Sequence, residues 1–343
     1  MRIGVLTAGG DAPGLNAAIR AIGKMAIRDG HEVVGIANGW AGLALEFAGT
    51  PLCAEDLRGV IGQGGTLLGT ARYNLEDPVG GRDRVLAAID EHLDALVAIG
   101  GDGTQRISTW LADRGAPIVG VPKTLDNDLQ GTDYCIGFDS AISTVAESLD
   151  RLYTTAASHH RVMVVETMGR STGWVAALGG LAGGADMIVI PEFPVTMSEI
   201  VEHLDKRRRA GIAFSIVVVA EGVDLSTLGG VELSELTGEG VGGVRLATRG
   251  VGQFVASKIE DSGDFEVRTT VLGHLQRGGS PTAYDRIWAT RVGAGAYEAV
   301  VAGKFGMIPV VRDDAVVLAQ LSDVSEGRRK VPREIYELCS VFF

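Results

Sequence analysis

The sequence predicts an α/β protein with mostly parallel sheets. Three observations carry that prediction. Apolar runs of strand length alternate with amphipathic runs of helix length along most of the chain. A strand, a Gly-Gly-Asp turn and a helix occur in succession twice, around Gly10 and around Gly101. Polar residues gather where the apolar runs end, which is where ligands bind in an open parallel sheet. With 343 residues the chain is long enough for two domains.

In chain order, Ile3 to Thr7 reads as a buried strand. A glycine-rich turn to Gly14 follows, then a helix with Leu15, Ala18, Ile19, Ile22, Met25 and Ala26 on one face and Gly30 as its stop. Glu32 to Ile36 is a strand. The stretch from Gly62 to Arg72 is a glycine-rich loop, and Arg84 to His92 a short helix. Ala95 to Asp128 then reads as strand, turn, helix from Thr104, strand, turn. A right-handed crossover makes its two strands parallel and puts both turns on one sheet edge.

Asp139 is the expected N-cap of a helix running to about Ala156. His159 and His160 are adjacent; on a strand they would point to opposite faces, which argues against a metal site. Strands are expected at 162–166, 187–190, 214–220 and 265–272, and helices at 173–183, 198–209, 246–259 and 283–301. The stretch 225–243 is irregular, and the tail from Arg312 is the least legible part.

Composition narrows the function classes. Hydrophobic residues make up 46% of the chain, ample for packed cores. The net charge of −12 argues against general nucleic-acid binding. The Lys206 to Arg209 cluster reads as a solvated helix face, because no aromatics are interleaved with it. Cys53, Cys135 and Cys339 are odd in number and widely spaced, with no Cys-x-x-Cys. That fits a reducing cytoplasm and no structural zinc. The N-terminus enters a strand with no signal-peptide pattern, and no apolar run reaches the ~18 residues that span a bilayer. The expectation is a cytoplasmic protein with no membrane and no nucleic-acid partner.

The two turns of the 95–128 stretch supply a phosphoryl-transfer chemistry. Gly100, Gly101 and Gly103 let the backbone approach an anion, and the free N–H groups of the following helix point at it. Asp102 repels a naked phosphate, so its role is expected to run through Mg²⁺. Lys123 can bind a phosphate, and Asp126 or Asp128 can take a proton from an attacking hydroxyl. Taken singly, Gly-Gly-Asp-Gly-Thr also fits any strand-to-helix turn, and Asp-Asn-Asp a solvated turn or cap. Arg72, after its glycine loop, can grip a polyphosphate or lie on the surface.

The segments GGDAPGLNAAIR, GGTLLGTAR, IGGDGT, PKTLDND, SHHRVMVVETMGR, GGADMIVIPE, VVVAEG and TVLGHLQRGGSPTAYDR together resemble one family, the bacterial-type 6-phosphofructokinases. GGDGT alone is shared with NAD kinases and lipid kinases; PKTLDND and LGHLQRGG set those apart. The resemblance implies two similar three-layer α/β/α domains with the active site in the cleft between them. Residues 1–138 plus 276–322 would form the donor domain, and 139–275 plus 323–343 the sugar-phosphate domain. It implies transfer from ATP-Mg²⁺ to the 1-hydroxyl of fructose 6-phosphate, the committed step of glycolysis.

By the same resemblance Asp126 matches the general base, Asp102 the Mg²⁺ ligand, and Asp128 a support of the catalytic turn. Gly10, Arg72 and Gly103, with Thr104 and Lys123 beside them, match the nucleotide-phosphate contacts. Thr124 and Arg170 match residues that hold the transferring phosphate and substrate. Met168, Gly169, Glu221, His274 and Arg277 match sugar-phosphate contacts. Arg161 and Arg268 match arginines that reach a neighbouring subunit's sugar phosphate, which implies a homo-oligomer, usually a tetramer.

The donor signal is mixed. ATP enzymes of this family usually have glycine at both positions 103 and 123; pyrophosphate enzymes usually have aspartate and lysine. Gly103 with Lys123 resembles an actinobacterial-type subgroup related to pyrophosphate enzymes that uses ATP. An aspartate at 103 would crowd and repel the α-phosphate, so Gly103 favours ATP, with reversible pyrophosphate-dependent transfer as the alternative. Arg20 and Asp186 match parts of the family's effector site, but Ala54 and Tyr153 stand where arginines are expected. Weak or absent effector regulation is the expectation.

Overall fold

The computed structural model describes residues 1–71, 73–75, 80–230 and 250–343. Arg72, most of the irregular stretch (231–243) and the first residues of the helix expected at 246–259 therefore lie outside the described residues. Contacts along the chain divide it into two units, Met1–Ser140 with Arg277–Arg329, and Ala141–Gln276 with Lys330–Phe343.

The first unit is built on a seven-stranded sheet. Its strands are β1 (Arg2–Ala8), β2 (Glu32–Ile36), β3 (Gly49–Pro51), β4 (Ala95–Gly100), β5 (Ile118–Pro122), β10 (Met307–Arg312) and β11 (Ala315–Gln320). They lie in the order β11-β10-β5-β4-β1-β2-β3, parallel except for β3 and β11 at the edges. Every residue of β4 and β5 is buried, as expected of parallel strands covered on both faces. The covering helices are α1 (Leu15–Arg28), α2 (Ala41–Ala44), α3 (Gly81–His92), α4 (Asp102–Ala112) and, returning late in the chain, α9 (Ala283–Val301) and α10 (Leu321–Ser325). Leu6, Val34, Leu96 and Ile118 of the sheet pack with Val85 and Ile89 of α3 and Leu111 of α4 in one core.

Register decides where the turns fall. Ala8 pairs with Gly100, and Gly100 with Pro122. The turns after β1, β4 and β5 are thus neighbours on one edge. After β1 the chain goes to β2 on one side, while β4 flanks it on the other. That reversal is the switch point at which an open α/β sheet leaves a crevice.

The second unit has a four-stranded parallel sheet in the order β7-β8-β6-β9, from β6 (Val162–Thr167), β7 (Met187–Val189), β8 (Ser215–Ala220) and β9 (Val267–Val271). Its helices are α5 (Phe138–His159), in which the chain leaves the first unit, α6 (Trp174–Ala182), α7 (Met197–Arg209), α8 (Val251–Asp261) and α11 (Arg333–Ser340). Thr196 caps α7 through a reciprocal capping box with Glu199.

Three local expectations are corrected. The helix after β4 starts at Asp102 rather than Thr104, so the aspartate sits in the first turn, where the helix dipole favours a carboxylate. Asp139 lies inside α5 and is not its N-cap; its carboxylate accepts from Thr282 Oγ1 at 2.5 Å. His159 closes α5 and His160 has φ of 54°, so the pair lies on no strand. Among the described residues no group of three or more His, Cys, Asp or Glu could hold a metal, and no helix is long and apolar enough to cross a membrane.

Asp285, at the start of α9, organises the segment that follows the turn after β5. It is fully buried and accepts from Gly137 N–H (2.7 Å), Ser140 N–H (2.8 Å), Ser140 Oγ (2.6 Å) and the Tyr134 hydroxyl. Removing this acceptor leaves several buried donors unsatisfied. Asp285→Ala is expected to cost on the order of 3 kcal/mol, read as a lower urea midpoint at unchanged slope.

Candidate active site

The first unit's three aligned turns line one pocket of about 390 Å³. Its wall includes Gly9 and Gly10 after β1, Asp102, Gly103 and Thr104 at the start of α4, and Lys123 and Thr124 after β5. Gly10 lies under the Arg277 guanidinium: a Cβ there would stand 2.6 Å from Arg277 Nη1, so that side chain would have to move. Arg277, grouped in the sequence with the sugar-phosphate contacts, in fact lines this pocket and donates to the Asp11 carbonyl at 2.9 Å. At Gly103 the situation is the reverse. A Cβ there would meet nothing within 4 Å, so the bare backbone leaves open space.

Lys123 is buried and spends its ammonium on the turn opposite. Nζ donates to the Ala8 carbonyl at 3.2 Å and to the Gly10 carbonyl. Burial, with Arg277 nearby, pulls its pKa from 10.5 down to about 8; Asp11 and Asp126 oppose that shift. The folded state therefore holds this proton less tightly than the unfolded chain. The charge costs stability below pH about 8, and the cost fades as pH rises towards the unfolded value. The phosphate contact that the sequence expects of Lys123 would have the opposite sign, because the cation is lost above pH about 8. The kcat/KM for the phosphoryl donor is expected to fall along a limb near pH 8, and Lys123→Met should remove that limb.

The turn after β5 is held by Asn127. Its φ of 49° suits asparagine among non-glycine residues. The side chain is buried, donating to the Asp133 carbonyl at 3.3 Å and accepting from the Cys135 N–H at 2.9 Å. This fixes the aspartates on either side of it. The Asp126 N–H donates to Thr124 Oγ1 at 3.2 Å, and Asp126 is half-buried. Asp128 is more deeply buried, accepts from Thr124 Oγ1 at 3.2 Å and lies 3.7 Å from Arg328. Burial raises the Asp128 carboxyl pKa, with Arg328 pulling the other way.

Asp102 keeps a quarter of its side chain exposed on the pocket wall, 3.4 Å from Arg106. A hard carboxylate beside glycine turns and a helix N-terminus fits a Mg²⁺ that brings phosphate oxygens as its other ligands. The rest of the pocket is less polar. Trp40, Leu75 and Ile107 line it, together with Tyr73, Asn74 and Arg82. The Trp40 indole N–H is buried and has no partner among the described residues. No motif marks these residues in the sequence, since they come from separate loops and helices.

In the second unit a cluster forms at the carboxyl edge of its sheet. Met168, Gly169 and Arg170 follow β6, Glu221 follows β8 and His274 follows β9. Met168 and Gly169 are buried, while Arg170 and His274 are exposed. Gly222 lets two of these turns touch, since a Cβ there would lie 2.5 Å from the Gly169 carbonyl oxygen and 2.4 Å from that of Arg170. Buried Gln276 was not singled out from sequence. Its Oε1 accepts from the Met168 N–H at 3.3 Å and its Nε2 donates to the Gly273 carbonyl at 3.1 Å.

Arg161 and Arg268 are elsewhere. Arg161 precedes β6, and Arg268 is the second residue of β9, paired with Met163. Both start from the amino edge of the sheet. Met168 lies seven residues beyond Arg161 along β6, about 23 Å at ~3.3 Å per residue. Asp186 is also committed, accepting from Arg207 at 2.5 Å, and Tyr153 packs edge to face on Phe214.

A family model described as phosphofructokinase matches residues 2–300. An ATP-dependent 6-phosphofructokinase of Corynebacterium efficiens is 44% identical over 345 residues, covering 100% of this chain and 99% of that protein. A pyrophosphate–fructose 6-phosphate 1-phosphotransferase of Amycolatopsis methanolica is 46% identical over 347 residues, covering 100% of both. Among solved structures, the Saccharomyces cerevisiae phosphofructokinase superposes with a TM-score of 0.80 at 31% identity, over 95% of this chain and 45% of that one. A pyrophosphate-dependent phosphofructokinase of Marinobacter aquaeolei gives 0.79 at 26% identity, over 97% of this chain and 86% of that one.

Proposed function

The chain belongs to the phosphofructokinase family, and from that premise we propose that it transfers the γ-phosphoryl group of ATP to the 1-hydroxyl of fructose 6-phosphate. Relatives of nearly equal identity use ATP or pyrophosphate, so overall likeness does not choose the donor. The pocket supports ATP. Beyond its phosphate turns it extends to Trp40, Tyr73, Leu75 and Ile107, apolar and aromatic wall that a nucleoside covers and pyrophosphate does not reach. Gly103 leaves the approach to that wall open.

In this reading Gly10, Gly103 and Thr104 hold the donor phosphates through the turn backbone and the start of α4. Arg72 retains the donor role that the resemblance gives it. Asp102 would hold Mg²⁺, which supplies charge neutralisation at the donor phosphates when bound. Asp126 takes the proton of the sugar 1-hydroxyl as the oxygen attacks the γ-phosphorus, the bond to the β-phosphate oxygen breaks, and ADP leaves. Thr124 and Arg170 orient the transferring group. Asp128 supports the turn, and Met168, Gly169, Glu221 and His274 take the sugar phosphate. Arg277 sits against Gly10, where its charge serves both substrates' phosphates. The test is ³¹P NMR of the product from ATP, Mg²⁺ and fructose 6-phosphate. A second phosphomonoester on the sugar and release of ADP support the reading; ATP hydrolysis alone refutes it.

The same reading makes the protein a homo-oligomer, with a tetramer as the proposed form. Arg161 starts about 23 Å from Met168, and it and Arg268 lie at the other edge of the same sheet. That separation supports the reading in which they serve a neighbouring protomer's sugar phosphate. Asp126→Asn and Arg268→Gln each cripple a different half of a shared site. Mixed hybrids of the two variants are expected to regain up to about a quarter of wild-type activity per shared site. Hybrids no more active than their parents would contradict the sharing.

A further inference from the structure

We propose that Glu266 is the resting counter-ion of Arg161 and Arg268, and that it lowers sugar-phosphate affinity by occupying the point at which they converge. This rests on the reading of those arginines as sugar-phosphate ligands. Glu266 Oε1 accepts from Arg161 Nε at 2.8 Å and from Arg268 Nη2 at 2.7 Å, and Arg161 Nη2 lies 2.7 Å from it as an ion pair. Three nitrogens from two cations thus converge on a single oxygen. The strands arrange this. Val162 pairs with Val267, and the Val162 N–H donates to the Glu266 carbonyl at 3.0 Å, so Arg161 and Glu266 stand side by side at adjacent strand starts. Arg268 is held on its other edge, where Nη1 donates to the Val267 carbonyl at 2.7 Å and lies 4.0 Å from Glu260 Oε1.

A phosphate monoester matches this arrangement better than the carboxylate does. It offers three oxygens and up to two charges, where Glu266 uses one oxygen and carries one charge. Half of the Glu266 side chain is exposed, so the contact is loose and an incoming phosphate can displace it. While no phosphate is present, Glu266 offsets the repulsion between two guanidinium groups held close together. Binding must undo that, so the carboxylate acts as a built-in competitor.

The experiment is equilibrium binding of fructose 6-phosphate to the full-length protein without donor, by titration calorimetry. Glu266→Gln removes the charge and keeps the shape. Its Kd is expected to fall about three- to tenfold, as loss of two exposed ion pairs implies. Glu266→Ala should act in the same direction. Arg268→Gln, measured in parallel, should weaken binding at least tenfold. If Arg268→Gln weakens binding while the Glu266 variants leave it unchanged or weaken it too, Glu266 is not a competitor and the proposal is overturned. If Arg268→Gln has no effect, the sugar-phosphate assignment fails, and the proposal falls with it.

Discussion

Asp126→Asn is expected to lower kcat by about 10²–10⁴-fold, with fructose 6-phosphate and the donor still binding. The argument begins with the backbone. Asn127 turns the chain at positive φ and is anchored by two side-chain hydrogen bonds, so replacing its neighbour leaves the turn in place. The Asp126 N–H bond to Thr124 Oγ1 is a backbone contact and survives as well. What asparagine cannot do is accept the proton of the attacking hydroxyl. Steady-state kinetics and calorimetry on one preparation check this. A steep loss of kcat with Kd values within a few-fold of wild type is the expected pattern. Full activity would mean that Asp126 is not the base.

Gly103→Asp should reduce kcat/KM for ATP by at least about 10²-fold, since like charges brought together cost several kcal/mol. The substitution fits the fold. A Cβ at 103 meets nothing within 4 Å, and the first turn of α4 tolerates an added carboxylate. The loss is therefore one of binding, and the thermal midpoint should move little. Pyrophosphate has no nucleoside to bring past this position, so its kcat/KM should fall less or rise. An equal loss for both donors would show that position 103 does not select between them.

The juxtaposition of the two turns was legible because each turn is local in the sequence. Asp102 and Gly103 belong to one strand-turn-helix unit, and Lys123, Thr124, Asp126 and Asp128 to the next turn. Parallel pairing of β4 with β5 makes the two turns neighbours. The helix start at Asp102 was missed because Gly101 is the N-cap with no side-chain bond to announce it. Residues contributed one at a time by distant segments carry no pattern. Trp40 and Arg82 reach the pocket that way, and Gln276 reaches Met168. Nothing in the sequence marks Glu266, because only the pairing of β6 with β9 sets it between two arginines.

The β10–β11 hairpin was likewise unread in the tail. Its turn, Asp313-Asp314, takes positive φ at both residues, 48° and 58°, which two-residue hairpins demand. Asp-Asp is a weaker signal of such a turn than Asn-Gly. The first unit runs to Arg329, where 322 was expected, because α10 packs on α4, with Thr109 Oγ1 3.2 Å from Ser325 Oγ.

The most direct measurement is fructose 1,6-bisphosphate formation from fructose 6-phosphate and Mg²⁺, with kcat/KM determined for ATP and for pyrophosphate side by side. The account predicts turnover with ATP at least about 10²-fold more efficient than with pyrophosphate. Efficient turnover with pyrophosphate and none with ATP would contradict it, and would mean that Lys123, not Gly103, decides the donor.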